Sequence, residues 1–379
     1  MVRHVTPLPP HAGVPADIAT LADYEARAAA HMPPESWRYL QEGSGAERTV
    51  GENRAAFARL RLVPRILADL RGGGTATSLF GRTHAAPILL APVAFQRLAH
   101  PEGERATATA AAALDSGMVL STLSSVTLEE VAAASRAASA QLGRPPAPLW
   151  FQLYLQEERA QSLDLVRRAE AAGYEAIVLT VDSAIKRSSL TLPAGIDAAN
   201  LRGTPRLRHI ATPGGAILFG TPLTERAPRW DDLAWLRGET RLPLIVKGVL
   251  AADDAARAIA HGADGLVVSN HGGRVLDDVV TAPQAMPAIV QAVGGDVPIL
   301  LDGGVRTGTD IVKALALGAA AVMIGRPQVH ALAVAGMAGV VHMLHLLRAE
   351  LEQAMAHLGC RTPADLTADH LSRGPERDL

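Results

Sequence analysis

The chain has 379 residues, a formal net charge of −2 and 48% apolar residues. This length suits one large α/β barrel with insertions as well as two ordinary domains, and the apolar share is enough for a substantial core. The near-neutral charge and the scattered basic residues argue against nucleic acid or anionic lipid as a partner.

Cysteine usage and the N-terminus indicate the compartment. Cys360 is the single cysteine of the sequence, which excludes an intramolecular disulfide and a multi-cysteine metal site. Residues 1–17 contain prolines and histidines but no apolar run typical of a secretory signal, so we predict a flexible tail. We find no run that approaches the roughly 18 apolar residues of a membrane span. We therefore expect a cytoplasmic protein without a membrane partner.

The first predicted elements are two short helices between Ile18 and Gln41. From residue 87 onward, short aliphatic runs recur, each followed by an Ala- and Leu-rich amphipathic stretch. The eight runs are residues 88–93, 118–121, 149–154, 176–181, 243–248, 265–270, 298–303 and 320–325. Continuous apolar strands that alternate with helices indicate a parallel sheet buried on both faces. Eight units in order favour a closed (β/α)8 TIM barrel over an open sheet, here a single α/β domain over residues 18–379 with an N-terminal helical extension.

The spacing of these units is regular except after the fourth strand, where residues 183–242 are rich in Pro, Gly and Arg. A connection this long is usually a lid, a binding loop or a disordered segment. Because it follows the carboxyl end of a strand, it should lie on the face where barrels carry their active sites. We predict an active-site loop here, and a helix from about Val329 to a stop near Gly359 and Pro363.

Polar residues end almost every predicted strand. In a barrel these positions face one site, so the pattern predicts a large polar ligand in the barrel mouth. The residues concerned are Ser121, Gln152, Tyr154, Thr180, Asp182, Lys247, residues 269–274, residues 302–306, Gly325 and Arg326.

The last two strands end in DGGVRTG and IGRP, which together predict a phosphate site. Gly303 and Gly304 allow the backbone to approach an anion closely, and the helix that follows directs N–H groups toward it. Arg306 and Arg326 add positive charge with forked donors. The alternative is a tight glycine turn beside a surface arginine.

Lys247 ends a strand that is otherwise apolar, so it needs an anionic partner or must lose its charge. Residue type alone leaves two roles open. It could form a Schiff base, as in barrel aldolases, or it could stabilise negative charge on a ring.

The stretch SNHGGR at residues 269–274 carries a candidate base and a candidate carboxylate ligand. His271 titrates near neutral pH, Arg274 offers bidentate recognition of a carboxylate, and Asp182 could accept the other imidazole N–H. The alternative is a structural histidine that caps a turn. No His or Cys stands near His271 at a metal-ligand spacing, so we expect no metal.

With these motifs the chain resembles the FMN-dependent 2-hydroxy acid oxidases and dehydrogenases, which include glycolate oxidase, lactate oxidase and mandelate dehydrogenase. The resemblance extends from about Tyr24 to His370, and HPEGE with STLSSVTLEE is most similar to 4-hydroxymandelate oxidases. The other stretches that carry it are ENRAAFARLRLVPRIL, LAPVAFQRLAHPEGE, WFQLY, RRAEAAGYEAIVLTVD, SNHGGR, LDGGVRTGTDIVKALALGAAAVMIGRP and GCRTPADL.

The resemblance implies FMN as cofactor and a role for each matching residue. Lys247 would lie beside the flavin pyrimidine and stabilise its negative charge, Tyr39 and Tyr154 would bind substrate, and His271, Arg274 and Asp182 would be the base, the carboxylate ligand and the histidine's partner. The family's second substrate arginine, in a Gly-x-Arg stretch, has no clear match, and Arg187 is the candidate. The positions that match FMN ligands are Pro92, Val93, Ala94, Ser121, Gln152, Thr180, Lys247, Ser269, Asp302, Gly303, Gly304, Arg306, Gly325 and Arg326.

The implied reaction oxidises an (S)-2-hydroxy acid with a mandelate-like or other bulky side chain to the 2-oxo acid. Whether the base removes the hydroxyl proton or the α-proton stays open. Ala94 and the mandelate-oxidase likeness favour oxygen as electron acceptor, with hydrogen peroxide as product. A quinone- or carrier-linked dehydrogenase, an enzyme for an amino-acid- or peptide-derived metabolite, a Lys247 aldolase and a non-catalytic phospholigand barrel are the alternatives. The family suggests a homo-oligomer, commonly a tetramer.

Overall fold

The computed structural model of the protein describes residues 6–183, 190–203, 218–225 and 227–372. Its centre is a closed barrel of eight parallel strands in the order β10-β3-β4-β5-β6-β7-β8-β9. The barrel strands are β3 (Ile88–Leu90), β4 (Gly117–Ser121), β5 (Leu149–Leu153), β6 (Ala176–Thr180), β7 (Leu244–Val249), β8 (Gly265–Val268), β9 (Ile299–Asp302) and β10 (Ala321–Ile324). Each predicted apolar run overlaps one of these strands to within one residue, so the (β/α)8 barrel is confirmed and the open sheet is wrong.

Helices surround the barrel and extend it at the N-terminus. The helices are α1 (Leu21–His31), α2 (Pro34–Gln41), α3 (Arg48–Arg59), α4 (Glu104–Ala113), α5 (Leu128–Gln141), α6 (Arg159–Ala171), α7 (Pro222–Glu225), α8 (Trp230–Glu239), α9 (Ala252–Ala260), α10 (Ala282–Val293), α11 (Gly308–Ala316) and α12 (Arg326–His357). The two helices predicted between residues 18 and 41 correspond to α1 and α2. Helix α3 was not predicted.

Side chains along each barrel strand alternate between two apolar layers. Leu89, Val119 and Trp150 belong to the cluster that fills the barrel interior. Leu90 and Leu120, each one position along its strand, belong to the larger cluster between strands and helices. Because successive strand side chains point to opposite faces, a run that is apolar throughout is buried on both. This is why the runs are continuous.

A small hairpin packs against the barrel interior. Strands β1 (Thr77–Leu79) and β2 (Arg82–His84) pair antiparallel. Leu79 and Phe80 pack with the interior cluster, and the Phe80 ring meets the Trp150 ring at 5.5 Å. His84 is fully buried beside Trp150, and its ring nitrogens have no hydrogen-bond partner among the described residues.

His84 should make the fold sensitive to acid. Burial, helped by nearby Arg82, lowers the pKa of His84 to about 4. Because this lies below the unfolded-state value, the contribution of His84 to stability is present above roughly pH 6.5 and declines as the pH falls toward about 4. Between about pH 7 and pH 5, the free energy of unfolding of His84→Leu, measured with urea, should fall by about 2 kcal/mol less than that of the wild type. Equal losses in the two proteins would contradict this assignment.

Helix α12 follows the last strand and anchors the N-terminal segment. It has 32 residues and is kinked at Ala335 and Gly336. By length and composition it could cross a membrane, so the expectation that no run is long enough is wrong, although 67% of its apolar window is buried inside the protein. In the mean hydropathy of this window, the aliphatic residues outweigh the histidines. In the segment predicted as a flexible tail, the backbone N–H of His11 donates to Val334 of α12 at 2.8 Å.

The segment predicted as an active-site loop, residues 183–242, contains regular structure where it is described. Its last part forms α8, which occupies the helix position after β6 in the barrel's outer ring. Earlier in the segment, buried Asn200 accepts a hydrogen bond from the N–H of Leu128 at 2.8 Å and donates to Ser124 Oγ at 2.9 Å. The segment is thus fastened to the loop after β4.

Candidate active site

A cavity of about 400 Å³ opens at the carboxyl ends of the barrel strands. The predicted site residues that line it are Tyr39, Pro92, Val93, Ala94, Ser121, Tyr154, Thr180, Lys247, His271, Arg274, Asp302, Gly303, Gly304, Arg306, Gly325 and Arg326. Gln152, Asp182 and Ser269 lie behind this wall and contact lining residues. Arg187 lies outside the described residues, so its role as second substrate arginine stays a prediction.

His271 and Asp182 form a hydrogen-bonded pair at the cavity wall. The imidazole Nδ1 lies 2.9 Å from Asp182 Oδ1, and the two side chains are 21% and 12% exposed. Burial raises the pKa of Asp182, but His271 and then Lys247 outweigh it, so the pKa lies below its ordinary value. A carboxylate there accepts a hydrogen bond from Nδ1–H, which leaves Nε2 as the basic nitrogen of the ring. This is the arrangement that a general base requires.

Lys247 lies between two acceptors in the barrel mouth. Its ammonium contacts Asp302 Oδ2 at 2.9 Å and donates to Ser269 Oγ at 2.8 Å, with the lysine side chain only 4% exposed. Burial lowers the pKa of Lys247, but Asp302 and Asp182 outweigh it and hold the pKa above its ordinary value. Since a Schiff-base lysine must be neutral to attack, this pairing disfavours the aldolase role. Lys247 is a fixed cation.

Two arginines give the other end of the cavity an excess of positive charge. Burial, and then neighbouring Arg54, lowers the pKa of Arg306 to about 10. Burial, together with Arg274 and Arg306, lowers the pKa of Arg326 to about 9. Both remain cationic at neutral pH, and their mutual repulsion would be relieved by a bound dianion. This charge pattern supports the predicted phosphate site.

Arg326 does more than the phosphate prediction assigned to it. Its guanidinium donates to the carbonyl oxygens of Leu40 and Gly272, each at 3.0 Å, and to those of Gln41 and Glu42. These are the last carbonyls of α2 and one carbonyl of the His271 loop. Arg326 thus joins the N-terminal extension to the candidate base.

Arg274 is fixed in the cavity wall in a similar way. Its Nη1 donates to the carbonyls of Tyr39 at 2.8 Å, Leu40 at 3.0 Å and Glu42 at 3.1 Å. The centre of its guanidinium lies 5.0 Å from the centre of the Tyr39 ring, within range of a cation–π contact. These contacts hold an arginine and a tyrosine side by side at the cavity, as recognition of a carboxylate and a hydroxyl requires.

Buried polar atoms at the cavity match the groups of FMN. Within the described part of the chain, no hydrogen-bond partner is found for Gln152 Nε2, Thr180 Oγ1, Asp302 Oδ1 or Arg306 Nε. Buried polar groups normally have partners, so these atoms indicate a polar ligand. A flavin has a polar pyrimidine edge, and its ribityl phosphate would complement Arg306. No cluster of three metal-ligating side chains is found in the same residues.

Several cavity residues were not indicated by the sequence patterns. Leu123, Leu155, Ala227 and Pro228 contribute apolar wall beside the predicted polar residues. Leu123 and Leu155 come just after β4 and β5, so counting two residues past each strand end would have found them. Ala227 and Pro228 carry no such signal because they lie in the irregular segment before α8.

These features together define a flavin-dependent oxidoreductase of the TIM-barrel class. They are the barrel itself, the cationic end of the cavity, the fixed lysine and the histidine–aspartate pair. The family model for FMN-dependent dehydrogenases matches residues 28–373. The chain belongs to this FMN-dependent 2-hydroxy acid oxidase and dehydrogenase family, and FMN is its cofactor.

Curated relatives and solved structures cover nearly the whole chain. The chain is 49% identical to an L-lactate oxidase of Alicycliphilus denitrificans, over 95% of this chain and 98% of the relative. It is 45% identical to a 4-hydroxymandelate oxidase of Amycolatopsis orientalis, over 90% and 95%. A crystal structure of mandelate oxidase superposes with a TM-score of 0.82 at 41% identity and covers 94% of this chain and 98% of that one.

Proposed function

We propose that the protein oxidises an (S)-2-hydroxy acid to the 2-oxo acid and transfers the electrons to oxygen, giving hydrogen peroxide. The observation that carries this proposal is the His271–Asp182 pair, at 2.9 Å, in the wall of the cavity that also holds Arg274 and the flavin-matching residues. When bound, FMN supplies the two-electron acceptor. The substrate alcohol loses two electrons and two protons, one hydrogen from the α-carbon and one from the hydroxyl, and oxygen finally receives them as hydrogen peroxide.

The charge of each cavity residue determines its proposed role. Arg274 binds the substrate carboxylate, while Tyr39 and Tyr154 contact the hydroxyl. His271 Nε2 accepts a proton from the substrate, and Asp182 stabilises the imidazolium that results. Lys247 holds positive charge where the ligand gains negative charge, so no water needs to reorganise there.

We propose a substrate with an aryl or other bulky side chain, as in mandelate. Support comes from the apolar side chains of Leu123, Leu155, Ala227 and Pro228 in the cavity lining. Similarity to 4-hydroxymandelate and mandelate oxidases points the same way. Lactate is the second candidate because L-lactate oxidases are 49% and 47% identical to this chain.

Comparing substrates and acceptors tests the proposal. We expect oxygen consumption with (S)-mandelate at a kcat/KM at least about tenfold above that with (S)-lactate or glycolate, the difference a complementary apolar pocket provides. The opposite order would favour lactate. Activity with a soluble quinone but not with oxygen would identify a dehydrogenase. Turnover of none of the three acids would favour a specialised metabolite.

Arg274→Met should weaken substrate binding more than it slows catalysis. The variant loses the charge-assisted hydrogen bonds to the carboxylate but keeps an unbranched side chain over Tyr39. We expect KM to rise about a hundredfold, in line with about 2–3 kcal/mol for hydrogen bonds to a charged group. Steady-state kinetics measures this. Arg348→Met, at an exposed arginine of α12 paired with Glu352, is the matched control. An unchanged KM in Arg274→Met would exclude the carboxylate role.

A further inference from the structure

The loop that carries His271 has an unusual backbone. His271, Gly272 and Gly273 have φ angles of 56°, 65° and 77°. A non-glycine residue in this left-handed region is strained and persists only where its surroundings hold it. The backbone N–H of His271 donates to Ser269 Oγ at 3.0 Å, which fixes one side of the turn. A second set of contacts must hold the rest of the loop.

We propose that Asn53 of α3 is a positioning residue that holds the His271 loop in this conformation through Asn270. The inference rests on the proposed role of His271 as base. Asn53 lies 217 positions before Asn270 in the chain, and the two amides pair reciprocally. Asn53 Nδ2 donates to Asn270 Oδ1 at 3.0 Å, and Asn270 Nδ2 donates to Asn53 Oδ1 at 2.7 Å.

The backbone fixes the orientation of this amide pair. Asn270 Oδ1 also accepts the N–H of Gly273 at 3.2 Å, and Asn270 Nδ2 also contacts the carbonyl of Val280 at 3.4 Å. The Asn270 side chain therefore bridges the left-handed turn to Gly273, with His271 and Gly272 between the two residues. Asn53 is 2% exposed and Asn270 4%, so water does not compete for these hydrogen bonds. The Asn53–Asn270 amide pair thus holds the turn in place from the side of α3.

Close backbone contacts place Asn53 at the junction of two functional turns. A Cβ on Gly273 would come within 2.8 Å of Val50 N, and a Cβ on Gly304 within 2.3 Å of the Asn53 carbonyl oxygen. Only glycine fits at these two positions, which lie in the His271 loop and the phosphate turn. Helix α3 thus packs directly on both.

Helix α3 has an independent attachment, so Asn53 is not required to keep it in place. Asp277 accepts hydrogen bonds from the N–H groups of Thr49 at 2.8 Å and Ala46 at 2.9 Å, at the start of the helix. These contacts join α3 to the end of the loop farther from His271. Removing the Asn53 amide should therefore release Asn270 while the helix stays docked.

The test compares Asn53→Ala with Asn200→Ala in the FMN-loaded protein. Asn200 is an equally buried asparagine, 4% exposed, that fastens the loop after β4. In Asn53→Ala we expect the limiting rate of flavin reduction by (S)-mandelate to fall about tenfold or more, with the apparent Kd within about threefold, because misplacing a base affects the chemical step. Backbone hydrogen exchange over residues 270–274 should accelerate about tenfold or more. Asn200→Ala should leave exchange over residues 270–274 unchanged.

Several results would overturn the proposal. It fails if Asn53→Ala reduces flavin at the wild-type rate, if its exchange over residues 270–274 is unchanged, or if Asn200→Ala accelerates that exchange equally. Asn53→Ser keeps a hydrogen-bonding hydroxyl but is too short to pair with both ends of the Asn270 amide, so it should show the same effects more weakly. If Asn53→Ala does not fold, wild-type flavin reduction and exchange in Asn53→Ser, or its failure to fold, would overturn the assignment. A wild-type protein that no 2-hydroxy acid bleaches would refute the proposed function instead, and the exchange result would still report on the Asn53 attachment.

Discussion

Replacing His271 with alanine should slow the reduction of bound FMN by a 2-hydroxy acid about a thousandfold or more. The variant loses both the proton acceptor and the imidazolium that Asp182 stabilises at 2.9 Å. FMN should remain bound, because most of the residues that match its pyrimidine and phosphate groups follow other strands. Rapid mixing without oxygen, with flavin absorbance as the readout, measures the effect.

Two variants make the His271 result specific. Asp182→Asn keeps a hydrogen-bonding side chain of the same size but removes the charge, so we expect a slower rate than in the wild type and a faster one than in His271→Ala. His330→Ala is the matched control, since His330 is buried in α12 and pairs with Gln41 Nε2 at 2.6 Å. A His271→Ala protein that kept FMN and reduced it at the wild-type rate would remove His271 from the mechanism.

Lys247→Met should destabilise the protein by about 3–5 kcal/mol and abolish tight FMN binding. The substitution leaves the Asp302 carboxylate without the cation that lies 2.9 Å from it in a buried site. It also removes the fixed positive charge that would face the electron-rich edge of the flavin. Urea unfolding of the apoprotein and equilibrium dialysis with FMN measure the two effects separately.

A double variant separates the ion pair from cofactor binding. In Lys247→Met with Asp302→Leu, no unpaired charge remains, so most of the stability should return. FMN binding should stay weak, since the cation is still absent. Equal FMN affinity in wild type and Lys247→Met would show that Lys247 serves the fold alone, and a stable single variant would show that Asp302 finds another partner.

The barrel could be predicted because its signal is local. Each strand is an apolar run followed by a helical pattern, and the order of eight such units selects closure. The active-site face could also be predicted, since polar residues at strand ends must converge there. Lys247, His271 and Arg274 were found in this way and line one cavity.

The supports of the site could not be predicted, because they depend on contacts between distant segments. Nothing local to Asn53 indicates that its amide pairs with Asn270. Arg326 looked like a phosphate ligand by its Gly-Arg pattern, whereas its four contacts to carbonyls of residues 40–42 and 272 require the packed fold. Chain reversals that bring residues 39–53 to the barrel mouth are set by tertiary packing and not by sequence spacing.

Anaerobic mixing of the FMN-loaded protein with (S)-mandelate or (S)-lactate tests the central claim most directly. We predict that the flavin absorbance bleaches as one equivalent of 2-oxo acid forms, and that admitting oxygen restores the absorbance and yields one equivalent of hydrogen peroxide. A flavin that neither acid nor any other 2-hydroxy acid bleaches would contradict the proposed reaction. A bleached flavin that oxygen does not restore would contradict the oxidase assignment.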